Sequence, residues 1–270
     1  MDEVLAAVIP VGAAALVALV AWRRRALTGP GAALAVALAA GLWWAAGWPA
    51  LVALAAFFGT STVLTHWGAV RKAELERAVH ARTGRRGVAQ VAANGVAALL
   101  LALAYRWSGS GWALAGVFAA CAACTADTWA SELGQLEPGD PVSILGGRAV
   151  ERGMSGGVTA RGMAAAAAGS ALLALLFGAL RVLMAPVPQV LAQAVLLWLA
   201  GFAGSVLDSV LGAALQAKYR TSEGRATERP TTDGQPNQLV GGWRWVNNDV
   251  VNAISSCAAA LPFLLGLWAT

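Results

Sequence analysis

Three carboxylates lie inside or at the end of runs of Ala, Val and Leu that otherwise resemble the interior of a membrane. Asp127 and Glu132 belong to the segment CTADTWASELGQ, which ends one such run, and Asp208 lies within another. A charge in hydrocarbon costs several kcal/mol, so something must compensate for it. Because buried carboxylates also repel one another, a cation or protons must lie between them.

Amide and hydroxyl side chains accompany these carboxylates at helical spacing. Residues three or four apart share one face of a helix. Four such stripes occur: Gln90 and Asn94; Asp127 and Ser131; Ser205, Asp208 and Gln216; and Asn248 and Asn252 with Asn247 beside them. Taken singly, a Ser, Asn or Gln is more simply explained by a hydrogen bond between helices.

Oxygen ligands without histidine or thiolate favour a hard cation, Mg²⁺ above all, which also bridges substrate phosphates. We therefore expect the metal ligands to be Asp127, Glu132, Asp208, Asn248 and Asn252. All of these except Asn252 are also the candidate catalytic residues. Supporting polar roles fall to Gln90, Asn94, Ser131 and Ser205.

A glycine-rich segment, GDPVSILGGRAVERGMSGGVTARG (139–162), follows the first carboxylates. Glycine backbone with nearby cations can hold phosphate groups. The alternative is that the glycines only form a loop and the arginines only mark the inner membrane face. The candidate nucleotide- and phosphate-binding residues are Arg148, Arg152, Ser155, Gly156, Gly157, Thr159, Arg161, Gln216, Lys218 and Asn247.

The elements that position these residues are membrane helices. The chain has 270 residues, of which 58% are hydrophobic and only 12% charged, far fewer charges than soluble domains carry. The composition predicts an all-α polytopic membrane protein, one transmembrane domain over residues 1–270. Eight apolar runs are long enough to span a bilayer: 4–22, 31–48, 50–67, 88–106, 112–131, 162–184, 189–212 and 247–268. Since only Trp48-Pro49 separates the second run from the third, seven to nine helices are compatible with the pattern.

The basic residues predict the orientation of these spans. If Arg23 to Arg25 are cytoplasmic, all but two of the 19 Lys and Arg residues fall on the cytoplasmic side, the exceptions being Arg106 and Arg181. The predicted cytoplasmic loops are 68–87, 132–161 and 213–246, with both termini on the other side of the cell (inner) membrane. The net charge of +5 is thus a topology signal, and no nucleic-acid partner is expected.

Several unusual sequence motifs occur in the order seen in a known family of integral membrane proteins. They are GRRGVAQVAANG (84–95), TADTWASELG, SGGVT–RG, GSVLDSVLGAALQ–KY, Thr227-Glu228 and WVNNDVVN. The chain resembles, over roughly residues 30–268, the family that includes the plant phytyl-phosphate kinase of vitamin E synthesis and many uncharacterised bacterial, archaeal and animal members.

The resemblance implies a membrane-embedded kinase that converts an isoprenoid monophosphate to the diphosphate. Its cofactor would be Mg²⁺ and its co-substrate a nucleoside triphosphate, CTP or another. Two alternatives stay open: a lipid-phosphate or ion transporter or flippase with the same carboxylates, and a nucleotidyltransferase that makes a CDP-activated lipid. Partners would be the isoprenoid lipid phosphate, the nucleotide and the bilayer, with the choice between monomer and homo-oligomer open.

Overall fold

Runs of Ala, Leu and Val form seven helices in the computed structural model, which describes residues 2–67, 85–184 and 188–266. The helices are α1 Asp2–Arg23, α2 Gly29–His66, α3 Val88–Ser108, α4 Gly111–Gly134, α5 Ala160–Met184, α6 Val190–Ala214 and α7 Asn248–Leu265. Within these ranges, α2 to α7 are the six helices long and apolar enough to cross a membrane. The helical membrane fold is therefore as predicted, whereas the count of eight spans is not confirmed.

The second and third predicted spans form the two halves of α2. Gly47 breaks its helical geometry with φ 68° and ψ −156°, two residues before Pro49. Glycine adopts this left-handed φ without the steric cost that a Cβ imposes. Leu38 and Leu54, on either side of the break, line the same cavity, so the two halves of α2 fold back on each other.

Helix α4 is the centre of the bundle. It contacts α2, α3, α5, α6 and α7, and its residues from Ala113 to Ala126 are all buried. The small side chains of this segment let neighbouring backbones approach closely. Where larger residues occur they pack together, as in the edge-to-face pair of Phe118 and Phe177 with ring centroids 5.5 Å apart. Helix α1 packs on α2.

Short strands fold the two segments that follow α4 and α6. In the first, β1 Val142–Ser143 pairs antiparallel with β2 Gly157–Val158. In the second, β3 Lys218–Arg220 lies between β4 Ala226–Thr227 and β7 Gln238–Gly241, and β5 Thr231–Thr232 pairs with β6 Gln235–Pro236. We call the end of the bundle that carries these segments the loop end. Of the three predicted cytoplasmic loops, residues 68–84 lie outside the described residues.

Candidate functional site

Four helices bring their polar stripes together at the loop end. The start of α3, the end of α4, the end of α6 and the start of α7 all reach it. Ser256 of α7 donates a hydrogen bond to the carbonyl oxygen of Ala93 in α3 (3.3 Å), and Ser255 donates one to Oδ2 of Asp208 in α6 (3.0 Å). The convergence expected from helical spacing therefore occurs, and it has a centre between α4, α6 and α7.

Asp127 and Asp208 form the centre of the site. Their carboxyl groups are close enough to share a hydrogen bond, and Asp208 is only 8% exposed. Two carboxylates at this separation cannot both be ionised unless a proton or a cation lies between them. Ser255, whose hydroxyl bonds both Asp208 and the carbonyl oxygen of Asn252, holds the pair against α7.

A cavity of about 520 Å³ opens beside this pair, and we call it the large polar cavity. Helices α3, α4 and α7 and the segment after α6 line it. Its lining includes nine of the residues predicted from the sequence: Gln90, Asn94, Asp127, Ser131, Glu132, Gln216, Asn247, Asn248 and Asn252. It also includes polar residues that the sequence analysis did not select: Arg85, Arg86, Gln135, Glu228, Arg244, Asp249 and Ser255.

A smaller cavity of about 120 Å³ lies on the other side of Asp127, under the glycine-rich segment. We call it the glycine-loop cavity. It contains the predicted residues Asp127, Ser131, Arg152, Ser155, Gly156, Gly157, Thr159, Ser205, Asp208 and Asn248. Four residues, Asp127, Ser131, Gln135 and Asn248, line both cavities. The two cavities are thus adjoining compartments with the carboxylate pair at their boundary.

Close packing fixes the glycine loop against α6. Gly156 has φ +84°, and a Cβ there would lie 2.6 Å from the Cα and backbone nitrogen of Ala213. The backbone N–H of Ser155 donates to Oε1 of Glu228 at 2.7 Å, which links the segment after α4 to the segment after α6. Arg152 donates to the carbonyl oxygen of Gly139 (2.6 Å). Only glycine fits at position 156, so that glycine has a definite structural role.

Glu132 does not join the carboxylate pair. It accepts a hydrogen bond from Oγ1 of Thr65 at 2.6 Å and interacts electrostatically with Arg86. Among the described residues no three His, Cys, Asp or Glu side chains are grouped as a metal site. The three-carboxylate cluster expected from the sequence is therefore reduced to two, with Glu132 directed toward α2 and α3.

The basic residues around the site also differ from the predicted set. Arg148 and Arg161 are exposed, and Nζ of Lys218 donates to the carbonyl oxygen of Ala213 near the end of α6 (2.8 Å); none of these three lines either polar cavity. Burial lowers the pKa of Lys218, and the nearby Glu228 partly opposes this shift. Lys218 is therefore placed to stabilise the end of α6.

Three arginines outside the predicted set lie at the large polar cavity. Arg85, Arg86 and Arg244 line the large polar cavity. Burial lowers the pKa of Arg86 and Glu132 opposes this, but an arginine stays protonated in proteins. A signal was present in the sequence, because Arg86, Gln90 and Asn94 are spaced by four and continue one helical face into the loop.

Two predicted phosphate ligands have structural partners. Oδ1 of Asn247 caps α7, accepting from the N–H groups of Asp249 (3.0 Å) and Val250 (3.1 Å). Oγ1 of Thr159 accepts from the N–H of Gly162 (3.0 Å) at the start of α5. Such caps stabilise a helix by about 1 kcal/mol. The helix starts explain these two side chains, although both also line a cavity.

Four other side-chain amide oxygens of the site lie buried without a hydrogen bond to any described residue. They are Oδ1 of Asn94, Oε1 of Gln135, Oε1 of Gln216 and Oδ1 of Asn252, all in the large polar cavity. An unsatisfied buried acceptor costs about 1–3 kcal/mol. Together with the Asp127–Asp208 pair they form an oxygen-only donor set, which fits Mg²⁺, a cation usually bound through one or two carboxylates together with waters and phosphate oxygens.

Comparisons with known proteins give the family of the chain. The model of the family described as Integral membrane protein DUF92 matches residues 12–260. Protein PGR of Arabidopsis thaliana is 31% identical over 226 residues, which are 75% of this chain and 76% of that protein. No solved structure matches the chain.

Uncharacterised microbial membrane proteins match as well. One from Synechocystis is 29% identical over 233 residues, covering 85% of this chain and 78% of its own length. One from Methanocaldococcus jannaschii is 30% identical over 176 residues, covering 64% of this chain and 67% of its own length. The match to the family model, over residues 12–260, spans the helices and both segments of the loop end. The chain therefore belongs to the DUF92 family of multi-pass integral membrane proteins, and the family resemblance drawn from its motifs is confirmed.

Proposed function

We propose that this protein is a membrane-embedded kinase that transfers the γ-phosphoryl group of a nucleoside triphosphate to an isoprenoid monophosphate. One observation carries the proposal: two polar compartments, each with basic or glycine-rich walls, adjoin at the Asp127–Asp208 pair. Phosphoryl transfer is mainly a matter of aligning two phosphates and neutralising their charge. Two adjoining polar compartments suit that task.

The two compartments have different roles in this proposal. The donor phosphates bind in the glycine-loop cavity, near Arg152 and the backbone of residues 153–157. The acceptor phosphate binds in the large polar cavity, where Arg86 and Arg244 offer charge-assisted hydrogen bonds. Asp127 and Asp208, with Asn248 and Asn252, would hold Mg²⁺, which when bound supplies charge neutralisation to the phosphate oxygens.

The reaction needs little acid–base assistance. An oxygen of the acceptor phosphate forms a bond to the γ-phosphorus. The bond from that phosphorus to the β–γ bridging oxygen breaks, and its electron pair leaves with the nucleoside diphosphate. Because the acceptor is already anionic near neutral pH, no strong base is required, and histidine is dispensable. Arg86 and Arg152 would align the two phosphates along the line of transfer.

The proposed orientation of the protein in the membrane follows from the location of its co-substrate, because nucleoside triphosphates are in the cytoplasm. We place the loop end, with its two polar cavities, on the cytoplasmic side of the cell membrane and both termini on the opposite side. The distribution of Lys and Arg along the chain supports this orientation.

Label transfer tests the proposal. Purified protein in nanodiscs is incubated with Mg²⁺, farnesyl phosphate and a triphosphate labelled at the α- or the γ-phosphorus, beside Asp127→Asn. We expect the γ-label in farnesyl diphosphate with wild type only. The α-label in the lipid would instead identify a nucleotidyltransferase. No transfer with any nucleotide, combined with flipping of farnesyl phosphate in sealed vesicles that Asp127→Asn abolishes, would identify a transporter and overturn the kinase.

A further inference from the structure

A third cavity, of about 340 Å³, lies between α1, α2 and α3 on the side of the bundle. Its walls are almost wholly apolar and include Ala14, Ala18, Leu38, Leu54 and Val91. We call it the apolar groove. Apolar side chains that line such a groove contact either lipid or a bound hydrocarbon, and a concave space between the helices of a bundle is a form that ligand sites take.

The groove adjoins the large polar cavity. Arg86, Gln90 and Asn94, spaced by four at the start of α3, line both spaces. Among the residues that the structure describes, these three alone are common to the linings of the two cavities. A molecule at this boundary would have one part in a polar compartment and the other among alkyl side chains, which is the arrangement that an amphiphile requires.

Arg86 is built into this boundary. Its guanidinium carbon lies 5.9 Å from the ring centroid of Phe57 and 5.4 Å from that of Phe58. Its Nη1 is buried and donates no hydrogen bond within the described ranges. The two rings orient the guanidinium by cation–π attraction, while one donor stays available for an anion. A buried donor of this kind gains most from a charged acceptor such as phosphate.

We infer that the apolar groove holds the hydrocarbon chain of the lipid phosphate and that Arg86 binds its phosphate at the entrance to the large polar cavity. This inference rests on the proposed function for the identity of the lipid. The shared wall of the two cavities and the guanidinium of Arg86 within it favour a phosphate-headed lipid over a neutral one. A single prenyl chain suits an apolar space of about 340 Å³ between three helices.

The groove also sets a chain-length preference. Its wall on α1 extends from Ala18 to Pro10, a distance of about 12 Å at the helical rise per residue. A dimethylallyl chain would leave most of this length unfilled, whereas a farnesyl chain would bury more apolar surface at about 25 cal/mol per Å². Farnesyl phosphate should therefore bind much more tightly than dimethylallyl phosphate, by at least tenfold.

Photo-crosslinking tests the inference without any nucleotide. A farnesyl phosphate carrying a diazirine on its chain is irradiated with the protein in nanodiscs, and the labelled peptides are identified by mass spectrometry. We expect labels on α1, α2 and α3 around Ala14 and Leu54. Ala55→Trp, which fills the groove from an exposed position on α2, should lower the yield by about tenfold, while the matched Ala168→Trp on the exposed face of α5 should not.

The head group is tested by the same probe. Arg86→Gln should weaken crosslinking in the groove by about tenfold or more, the effect of one charge-assisted bond. Labels spread evenly over the lipid-facing surface, or a yield unchanged by Ala55→Trp, would overturn the inference. Displacement by phosphatidylglycerol as effective as by unlabelled farnesyl phosphate would also overturn it, because the groove would then be an ordinary lipid contact.

The kinase proposal and the groove proposal can be refuted independently of each other. Groove labelling that depends on Arg86, in a protein that makes no farnesyl diphosphate, would leave the lipid-phosphate site standing and remove the kinase. Farnesyl diphosphate formation without groove labelling would leave the kinase standing and remove the groove.

Discussion

Replacing Gly156 by Ala should displace the glycine loop and disable the donor compartment. The left-handed φ of +84° costs a non-glycine residue roughly 1–2 kcal/mol. The new Cβ would also lie 2.6 Å from the backbone of Ala213, about 1 Å inside an ordinary carbon–carbon contact. Since α6 is fixed in the bundle, the loop must move by that amount. A misplacement of 1 Å in a reacting group costs up to about a hundredfold in rate.

Two neighbouring glycines provide matched controls in the same segment. Gly147 has φ +62° but open space around its Cα, and Gly146 has neither restriction. Gly147→Ala should therefore reduce stability by about 1 kcal/mol without affecting turnover, and Gly146→Ala should change neither. The assay is the rate of label transfer to farnesyl phosphate at varied nucleotide concentration, with thermal unfolding run in parallel. Equal rates for Gly156→Ala and Gly147→Ala would refute the assignment of this loop to the donor site.

Four further predictions concern single residues. Asp208→Asn should lower label transfer by more than about a hundredfold yet fold normally by circular dichroism, because it removes repulsion with Asp127; near-normal turnover would make the carboxylates structural. Ser255→Ala should lower the apparent affinity for Mg²⁺ by about ten- to a hundredfold, as loss of an outer-shell partner does. An unchanged Mg²⁺ titration would contradict this. Lys218→Met should lower stability by less than about 1 kcal/mol, since burial already penalises its charge, with no change in KM for either substrate; a tenfold rise in KM would restore its predicted phosphate role. Gly146→Cys should react with a membrane-impermeant thiol reagent only from the cytoplasmic side, and labelling of intact cells would reverse the topology.

The carboxylate pair could be predicted because helical spacing is enough to find it. Asp127 and Asp208 each lie on a stripe of small or polar residues, and such stripes pack toward other helices. Glu132 could have been separated from them by the same geometry. Five residues along a helix turn a side chain by about 140° around the axis, so Glu132 points to α2 while Asp127 points to α6. Asp127 and Glu132 are close in sequence, but they lie on different faces of the helix.

The basic residues could not be ranked from the sequence. Lys and Arg at the loop end all satisfy the positive-inside pattern equally, so composition does not distinguish the exposed Arg148 from the half-buried Arg86. The difference arises from tertiary contacts with Phe57 and Phe58. The break in α2 is similar: Pro49 suggested a boundary, but the reversal depends on the φ of Gly47.

The central claim is that donor and acceptor phosphates meet directly at Asp127, where the two cavities adjoin. The configuration at the transferred phosphorus tests this claim most directly. A triphosphate made chiral at its γ-phosphorus is turned over once with farnesyl phosphate, and the product's configuration is determined. Direct transfer between adjoining compartments predicts inversion. Retention, which requires a phosphorylated enzyme between two displacements, would contradict the account, as would the absence of any transfer.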